Sequence, residues 1–306
     1  DATDNHMLFD RVRGATKDWH SNTTDAEVTN VNTLQRFLEA GVQVGNDVEV
    51  NTANESYVLW NFMAEATGSG TLNEVGTIDS TVLVDTTLGM SVGTYTGNLS
   101  ASQTIGHGLG VTPQMVLFKN TSVAGSWVVY HEALGNAQMV LLNVADAKQG
   151  SAGVWGSTSP TSSVLAVSNN ASVNGSGNTM MFIAFAPSEF ISIGSFEGNA
   201  NTDGTFVPTL NSLGVPLQPV WAIFKDIDAA YGWGIYDIER NGYNGSNSNL
   251  MADATTVEGT TFQLDIVSGG IKMRHGSGVI NTSNTYVYMV IGIPIIDVDG
   301  RIIAAR

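Results

Sequence analysis

The apolar residues of this chain occur in short runs separated by clusters of small and polar residues. Examples are "MVLFK" (115–119), "WVVYH" (127–131), "MMFIAFA" (180–186), "WAIFKD" (221–226) and "YVYMVIGI" (286–293). The runs are rich in β-branched and aromatic residues and are bounded by Gly, Asn, Ser and Thr, which predicts β-strands joined by turns. Only "VTNVNTLQRFLEAGV" (28–42) has the pattern of a helix or a single helical turn. We therefore predict an all-β fold.

Similar phrases recur along the chain at a constant spacing. Lys119 and Lys225, like Trp127 and Trp233, are 106 residues apart. An earlier phrase, "DNHMLFDRVRG" (4–14), resembles the later "GSWVVYHEALGN" (125–136) and "YGWGIYDIERNG" (231–242). A fixed offset over such a length indicates duplication. We predict tandem antiparallel β-sandwich-like repeats of about 100 residues, a common size for a sandwich domain, with the first repeat incomplete.

The predicted boundaries follow these phrases. We assign a partial β repeat unit to residues 1–64, a linker to residues 65–90, and β-sandwich repeat units to residues 91–190 and 191–306. The first unit lacks the "YTGN" and "PxxVxxK" phrases that come before the shared phrase in the other two. Because missing strands expose sheet edges, we expect an additional segment or a strand from a neighbouring subunit to cover them.

Composition argues against several kinds of partner and chemistry. The 306 residues are 42% hydrophobic and 13% charged, and 12 basic against 28 acidic residues give a formal net charge of −16. No basic cluster could neutralise phosphates, so we expect neither nucleic acid nor an anionic membrane surface as a partner. The apolar runs are shorter than the roughly 18 residues of a membrane helix, so we expect no membrane insertion. The chain has no cysteine, which excludes disulfides and thiolate chemistry.

The sequence contains no recognised catalytic or metal-binding motif. The five histidines form no HExxH pattern, and neither G-x-S-x-G nor a phosphate loop occurs. We therefore expect no cofactor and no metal. If one unit were catalytic, His131 with Glu132 or Asp237 with Glu239 would be the first pairs to test. The other units have Asp10 and Asp237 at the position of His131. Because a catalytic base is not expected to vary in this way, we predict no enzymatic activity.

The repeated aromatic phrase supplies the candidate site residues. They are Trp127, Tyr130, Trp233, Tyr236, Asp237, Arg240 and Tyr243. One interpretation is packing in the core or between sheets, since buried aromatic residues contribute large apolar areas. A second is a subunit interface, where Tyr, Trp and Arg are enriched. A third is a glycan-binding surface on which exposed rings stack against sugars.

Several longer phrases resemble the repeat of tail-fibre and other virion structural proteins of tailed phages, marine ones especially. They include "DRVRGATKDWHSNTTDAEVTNVNTL" (10–34), "GSFEGNANTDGTFV" (194–207), "WGIYDIERNGYN" (233–244) and "NTYVYMVIGIP" (284–294). The resemblance implies a non-enzymatic structural protein of the virion, in a tail fibre, an appendage or the particle surface, whose partners are its own copies and other virion proteins. The alternative is a virion receptor-recognition protein that binds host surface glycan. A weaker alternative is a glycan hydrolase.

Overall fold

The structure is a computed structural model that describes residues 3–39, 41–62, 68–240, 244, 247–296 and 300. Strands dominate these residues, and the named strands pair into antiparallel sheets, which confirms the predicted all-β class. We call residues 3–62, 68–186 and 191–296 the first, second and third units. None of the described helices is long and apolar enough to span a membrane.

The first unit is the smallest and the least regular. Its elements are β1 (Met7–Leu8), β2 (Lys17–His20), β3 (Val28–Thr29), β4 (Leu34–Leu38), β5 (Gly41–Val44) and α1 (Val48–Asn51). The strands β1, β2 and β3 form one sheet, and β4 and β5 form a hairpin in which Phe37 faces Val42. The helix or helical turn predicted over residues 28–42 is therefore wrong. Val42 and Val44 alternate with polar residues, a period of two that suits a hairpin.

The second unit is the largest. Its elements are β6 (Thr71–Asn73), β7 (Ser80–Asp85), β8 (Met90–Thr96), β9 (Gln103–Gly106), β10 (Met115–Asn120), β11 (Val128–His131), a 3₁₀ helix (Glu132–Ala137), β12 (Gln138–Leu141), β13 (Gln149–Gly150), β14 (Val164–Val167), α2 (Ala171–Asn174) and β15 (Thr179–Phe185). Eight strands form one sheet in the order β13-β12-β11-β10-β15-β8-β7-β6, and β9 pairs with β14. Residues 65–90, predicted as a linker, contain β6 and β7 of this sheet. The polar composition of that segment concealed them.

The third unit has a similar plan. Its elements are β16 (Ile191–Glu197), β17 (Phe206–Pro208), β18 (Leu217–Asp226), β19 (Trp233–Asp237), β20 (Leu250–Met251), β21 (Leu264–Val267), β22 (Gly270–Met273), α3 (Gly278–Asn281) and β23 (Thr285–Pro294). Five strands form a sheet in the order β16-β23-β18-β19-β20, and β17, β22 and β21 form a second sheet.

Strand pairing in the second and third units follows one register. Lys119 faces Met181 in the pair β10–β15, and Lys225 faces Val287 in the pair β18–β23, so both strands are shifted by 106 residues. The pairs β10–β11 and β18–β19 are related by the same shift. The central strands of the two sheets therefore correspond one for one in their pairing.

Alternate side chains of the central strands enter different cores. On β10, Leu117 belongs to a central core and Phe118 to a core inside the second unit. On β18, Ile223 belongs to the central core and Phe224 to a core inside the third unit. The central core also includes Trp19 of the first unit. Because successive side chains point to opposite faces of a strand, a strand covered on both faces has a continuous apolar sequence.

Candidate functional site

The two repeated tryptophans lie where one unit meets the next. Trp127 Nε1 donates a hydrogen bond to the His20 carbonyl oxygen of the first unit at 3.0 Å. Trp233 Nε1 donates to the Leu141 carbonyl oxygen of the second unit at 2.8 Å. Both side chains are fully buried in the central core. Each tryptophan therefore joins its own unit to the preceding one.

One backbone hydrogen bond recurs in all three units, and in the second and third units its acceptor is the repeated tryptophan. The backbone N–H groups of Ser21, Leu142 and Ala252 donate to the carbonyl oxygens of His6, Trp127 and Trp233 at 3.0, 3.0 and 2.9 Å, respectively. His6 therefore occupies in the first unit the place that Trp127 and Trp233 occupy in the others. The strand β1 accordingly corresponds to β11 and β19.

His6 and Ser21 join the first unit to the third. His6 Nε2 lies 3.0 Å from the Ala254 carbonyl oxygen, and Ser21 Oγ donates to the Ala252 carbonyl oxygen at 2.6 Å. Burial lowers the pKa of His6, which favours the neutral ring at this junction. With the two tryptophan contacts, these bonds connect the three units in a closed cycle.

Two buried lysines strengthen two of the three junctions. Lys119 Nζ donates to the Thr24 carbonyl oxygen of the first unit at 3.1 Å. Lys225 Nζ donates to the Ala145 carbonyl oxygen of the second unit at 3.0 Å. Burial lowers the pKa of each lysine to about 8, and Asp25 near Lys119 partly opposes the shift. Neither lysine is among the candidate residues predicted from the sequence, although its position at the end of an apolar strand was a usable signal.

The repeated tyrosines face the cores of their own units. Tyr130 lies in the core of the second unit, and Tyr236 lies in the core of the third. Tyr236 Oη donates to the Phe262 carbonyl oxygen at 2.6 Å, and burial raises its pKa strongly. Trp127, Tyr130, Trp233 and Tyr236 are at most 4% exposed. The glycan-platform interpretation of these four rings is therefore wrong, because no ring face is open to a sugar.

Asp237 and Arg240 form a buried ion pair. Arg240 Nε lies 2.6 Å from Asp237 Oδ2, and Arg240 Nη1 lies 3.1 Å from Glu258 Oε2. Asp237 Oδ1 accepts hydrogen bonds from the backbone N–H groups of Glu239 and Arg240, each at 3.0 Å. The carboxylate therefore holds the turn after β19. Tyr243, the remaining candidate, lies outside the described residues.

The first unit repeats both ion pairs of this arginine. Arg13 Nε lies 2.5 Å from Asp10 Oδ2, and Arg13 Nη1 lies 3.2 Å from Glu27 Oε2. Arg13 also lies over the ring of Trp19, 3.2 Å from its centroid, in a cation–π contact. The recurrence explains why Asp and Arg are spaced identically in "DRVR" and "DIER". It indicates a structural role for both residues.

His131 replaces the aspartate in the second unit. Its ring is 1% exposed, and burial lowers its pKa to about 4, so it is neutral at pH 7. Nδ1 accepts a hydrogen bond from the Ala133 backbone N–H at 3.2 Å. The neighbouring Glu132 is exposed. The geometry therefore gives His131 the turn-capping role that Asp10 and Asp237 have, without an arginine.

A cavity of about 250 Å³ lies where the three units meet, and we call it the junction cavity. Its wall includes Leu8 and Phe9 of the first unit, Met115 of the second and Trp221 of the third. Trp60 and Phe62 also line it, and each makes an edge-to-face contact with Trp221, at centroid distances of 6.2 and 5.7 Å. A second cavity of about 140 Å³ shares Phe9, Trp60 and Phe62 as wall residues. The junction cavity is thus an apolar space with a strand edge on one side.

Metal chemistry has no support in the part of the chain that the structure describes. No group of three or more His, Asp or Glu side chains there is placed to hold a metal ion. The titratable residues that line the junction cavity, His6, Asp10 and Arg13, are engaged in the contacts given above.

Fold and site together define an all-β protein in which three units contact one another in a cycle around an apolar cavity. The chain belongs to the family described as Domain of unknown function (DUF7483), whose model matches residues 1–292. Searches of curated proteins and of solved structures give no match to the chain.

Proposed function

We propose that the chain is a non-enzymatic structural protein of a phage virion, in a tail fibre, an appendage or the particle surface, and that it acts through assembly. The observation that best supports this proposal is that the repeated residues make junctions between units. Trp127, Trp233, Lys119 and Lys225 all donate hydrogen bonds to the backbone of the preceding unit. The resemblance of the long phrases to virion proteins supports the setting.

The surface of the first unit supports partners that include other copies of the chain and other virion proteins. Val31, Val48 and Leu59 are 62%, 63% and 61% exposed, respectively. A partner that covers these side chains would remove their apolar surface from water, which favours association. We therefore propose an oligomeric or partner-bound working state in the virion.

Labelling of intact particles tests the virion setting. A gold-conjugated antibody against the purified chain is applied to particles of a phage that encodes it, and the particles are imaged by electron microscopy. We expect label at a regular position on the tail or head. A phage without the gene serves as the control. Label confined to host lysate, with none on particles, would contradict the proposal.

Incubation of the purified chain with host surface polysaccharide tests the two alternatives. Glu132→Gln and Glu239→Gln form a matched pair of variants, because both carboxylates are exposed on the turn after the repeated strand. The proposal predicts no newly released reducing ends with any of the proteins. Release that is lost in one variant would support the hydrolase. Tight binding without release would support the receptor-recognition protein, which would then use residues other than the buried aromatics.

A further inference from the structure

The strands β8 and β16 occupy the same place in the second and third units. The phrases "SVGTYTGN" (91–98) and "SIGSFEGN" (192–199) correspond in sequence, and each strand pairs with the last strand of its unit, β15 or β23. The other edge of β8 pairs with β7. Among the described strands β16 pairs only with β23, so its other edge is free.

In the second unit, residues 71–85 cover the neighbouring strand β9 as well as β8. The backbone N–H groups of Thr77 and Ile78 donate to the Thr104 carbonyl oxygen at 2.9 and 3.0 Å. In the third unit β17 takes the place of β9 in chain order, and it pairs only with β22 among the described strands. The third unit therefore has two free strand edges, those of β16 and β17, which we call its open side.

The open side arises from a difference inside the chain. In the second unit the covering segment, residues 71–85, comes directly before β8. In the third unit only residues 186–190 separate β15 from β16, and all of them lie in the described part of the chain. Five residues are too few for a hairpin of that size, so the segment that covers β8 has no equivalent before β16.

Exposed apolar side chains lie along the open side. Phe206 and Leu210 are 48% and 47% exposed, respectively. Hydrogen bonds join the segment that carries them to both ends of β16, at the Glu197 carbonyl oxygen (2.8 Å) and the Ser188 carbonyl oxygen (3.0 Å). None of the residues 193–197 is buried. Both the edge of β16 and the apolar residues beside it are therefore accessible to a partner.

The free edge of β16 presents alternating donors and acceptors. Phe190 and Gly198, which flank β16, each form a backbone hydrogen bond with the segment 284–292, so the even-numbered residues between them bond to β23. The N–H and C=O groups of Ile193 and Ser195 therefore point to the open side. A strand edge of this kind is a template for pairing with another chain. Because antiparallel pairing matches N–H to C=O in both directions, the edge is complementary to a copy of itself.

We propose that the open side of the third unit binds the open side of a second copy of this chain, through antiparallel pairing of the two β16 strands about a two-fold axis. Pairing centred on Gly194 joins Ile193 of each copy to Ser195 of the other. The two five-stranded sheets then form one continuous sheet, with Phe206 and Leu210 of each copy beside the contact. The inference names the partner and the contact for the proposed assembly role, on which it rests.

The distribution of charge favours a second copy as the occupant. Two chains with a net charge of −16 repel each other, so they can meet only at a surface with little charge. The only charged residue of β16 is Glu197, at its end. Pairing centred on Gly194 sets this carboxylate opposite Ile191 of the second copy, which avoids a pair of like charges. An edge with one carboxylate also gives a partner selected by opposite charge little to bind.

The size of the contact predicts a weak dimer. Seven residues at about 3.3 Å each make the edge about 23 Å long. Such an edge with two apolar side chains beside it buries less than the roughly 800 Å² per partner of a stable interface. We therefore expect a dimer that forms at micromolar or higher concentration of the chain.

Sedimentation velocity of the purified full chain tests the proposal. We expect the fraction of dimer to rise as the concentration increases from micromolar to near-millimolar. We also expect high salt to strengthen the dimer, because salt screens the repulsion between two acidic chains. A chain that stays monomeric at near-millimolar concentration in both low and high salt would overturn the proposal.

Three variants test the position of the contact. Ser195→Pro removes an N–H group from the free edge, at a kind of position where sheets tolerate proline. Phe206→Glu removes an apolar side chain and adds like charges. Each should weaken the dimer at least about tenfold, because each change acts twice across a two-fold axis. Leu72→Glu is the matched control, since Leu72 is 66% exposed on β6, at the edge of the other large sheet, and it should leave the dimer unchanged.

Two results with these variants would overturn the proposal. One is a dimer that persists in both the Ser195→Pro and the Phe206→Glu variants, with folding checked by circular dichroism. The other is equal weakening by Leu72→Glu. If Ser195→Pro does not fold, Phe206→Glu still decides, because its side chain is half exposed.

Hydrogen exchange locates the contact. We expect the amides of Ile193 and Ser195 to exchange quickly at low protein concentration and slowly in the dimer. Slow exchange already in the monomer would show that another segment of the same chain covers the edge, and would overturn the proposal. A chain that labels particles but does not self-associate would contradict this inference alone, whereas a dimer without label on particles would contradict only the virion role.

Discussion

The first and third units contain the same short helix, but they differ in what covers it. Every residue of α3 (Gly278–Asn281) is buried, whereas no residue of α1 (Val48–Asn51) is buried. Asn281 Nδ2 donates to Asn199 Oδ1 at 3.0 Å and to the Asn201 carbonyl oxygen at 2.8 Å, and these acceptors follow β16. Asn51 Nδ2 donates to the Gly45 carbonyl oxygen of its own unit at 2.7 Å. The same local element is thus buried in the third unit, where residues 199 and 201 contact it, and has no buried residue in the first.

The ion pairs, unlike the short helices, are buried to a similar degree in the first and third units. Arg13 with Asp10 and Arg240 with Asp237 form the same Nε–Oδ2 ion pair, although Asp237 also accepts a hydrogen bond from Trp60 Nε1 at 3.1 Å. Both arginine side chains are at least nine-tenths buried. Each pair joins residues three apart on one turn, so its formation depends on local sequence. The comparison separates contacts that depend on local sequence from contacts that depend on packing against another segment of the chain.

The largest expected difference in stability is between substitutions of Trp233 and His6, which occupy equivalent positions at the junctions between units. Trp233→Ala should lower the free energy of unfolding by about 3–5 kcal/mol, because it leaves a large cavity in the central core. The equivalent His6→Ala should cost only about 1 kcal/mol, since it removes one half-buried hydrogen bond. Urea unfolding followed by circular dichroism measures both changes. Equal losses would show that the junction with the first unit is as tightly packed as the one between the second and third units.

Loss of either ion pair should lower the free energy of unfolding by a similar amount. Arg240→Met and Arg13→Met should each cost about 3 kcal/mol, because each leaves a buried aspartate without its partner. Urea unfolding gives both values, and Lys272→Met is the control, since its partner Asp203 is exposed and the pair contributes little. A much smaller loss for Arg13 than for Arg240 would show that the uncovered first unit weakens its own ion pair.

The all-β class was predictable because short apolar runs and turn residues report local preference. The constant spacing of the repeated lysines and tryptophans was also visible, and the strand registers carry the same spacing. Burial of the candidate aromatics was not decided by sequence, since a Trp or Tyr in a strand suits a core, an interface or a sugar platform. The alternation of Trp127 into the central core and Tyr130 into the unit core depends on which sheet faces each side.

Other parts of the site required the tertiary structure. The strands β6 and β7 lie in a polar segment whose pattern resembled a linker, and they are strands through pairing, β7 with β8 and β6 with β7. The hairpin of β4 and β5 overrode a helix-like pattern for the same reason. The junction cavity depends on Trp60 and Phe62 contacting Trp221 across units, a proximity that no local pattern encodes.

His131 provides a pH-dependent comparison with the aspartates at its position. Its pKa is about 4 in the folded protein, against an ordinary value of 6.5, so the unfolded chain takes up a proton at a higher pH than the folded chain. The free energy of unfolding should therefore fall as the pH drops from 6.5 to 4, by roughly 2 kcal/mol at pH 5 from this residue. His131→Asn keeps an acceptor for the Ala133 N–H but does not titrate. Urea unfolding at pH 7 and pH 5 should show a smaller decrease in the variant, and an unchanged decrease would assign the effect to other groups.

The smallest expected effect compares the burial of the two short helices, α1 and α3, through one asparagine of each. Asn281→Ala should cost about 1–2 kcal/mol, because the fully buried side chain has hydrogen bonds with the Asn199 backbone N–H, Asn199 Oδ1 and the Asn201 carbonyl oxygen. Asn51→Ala should change stability by less than about 0.5 kcal/mol, since the side chain is exposed. Urea unfolding measures both values. A cost for Asn51→Ala as large as that of Asn281→Ala would mean that α1 is covered in solution, and the contrast between the units would then be wrong.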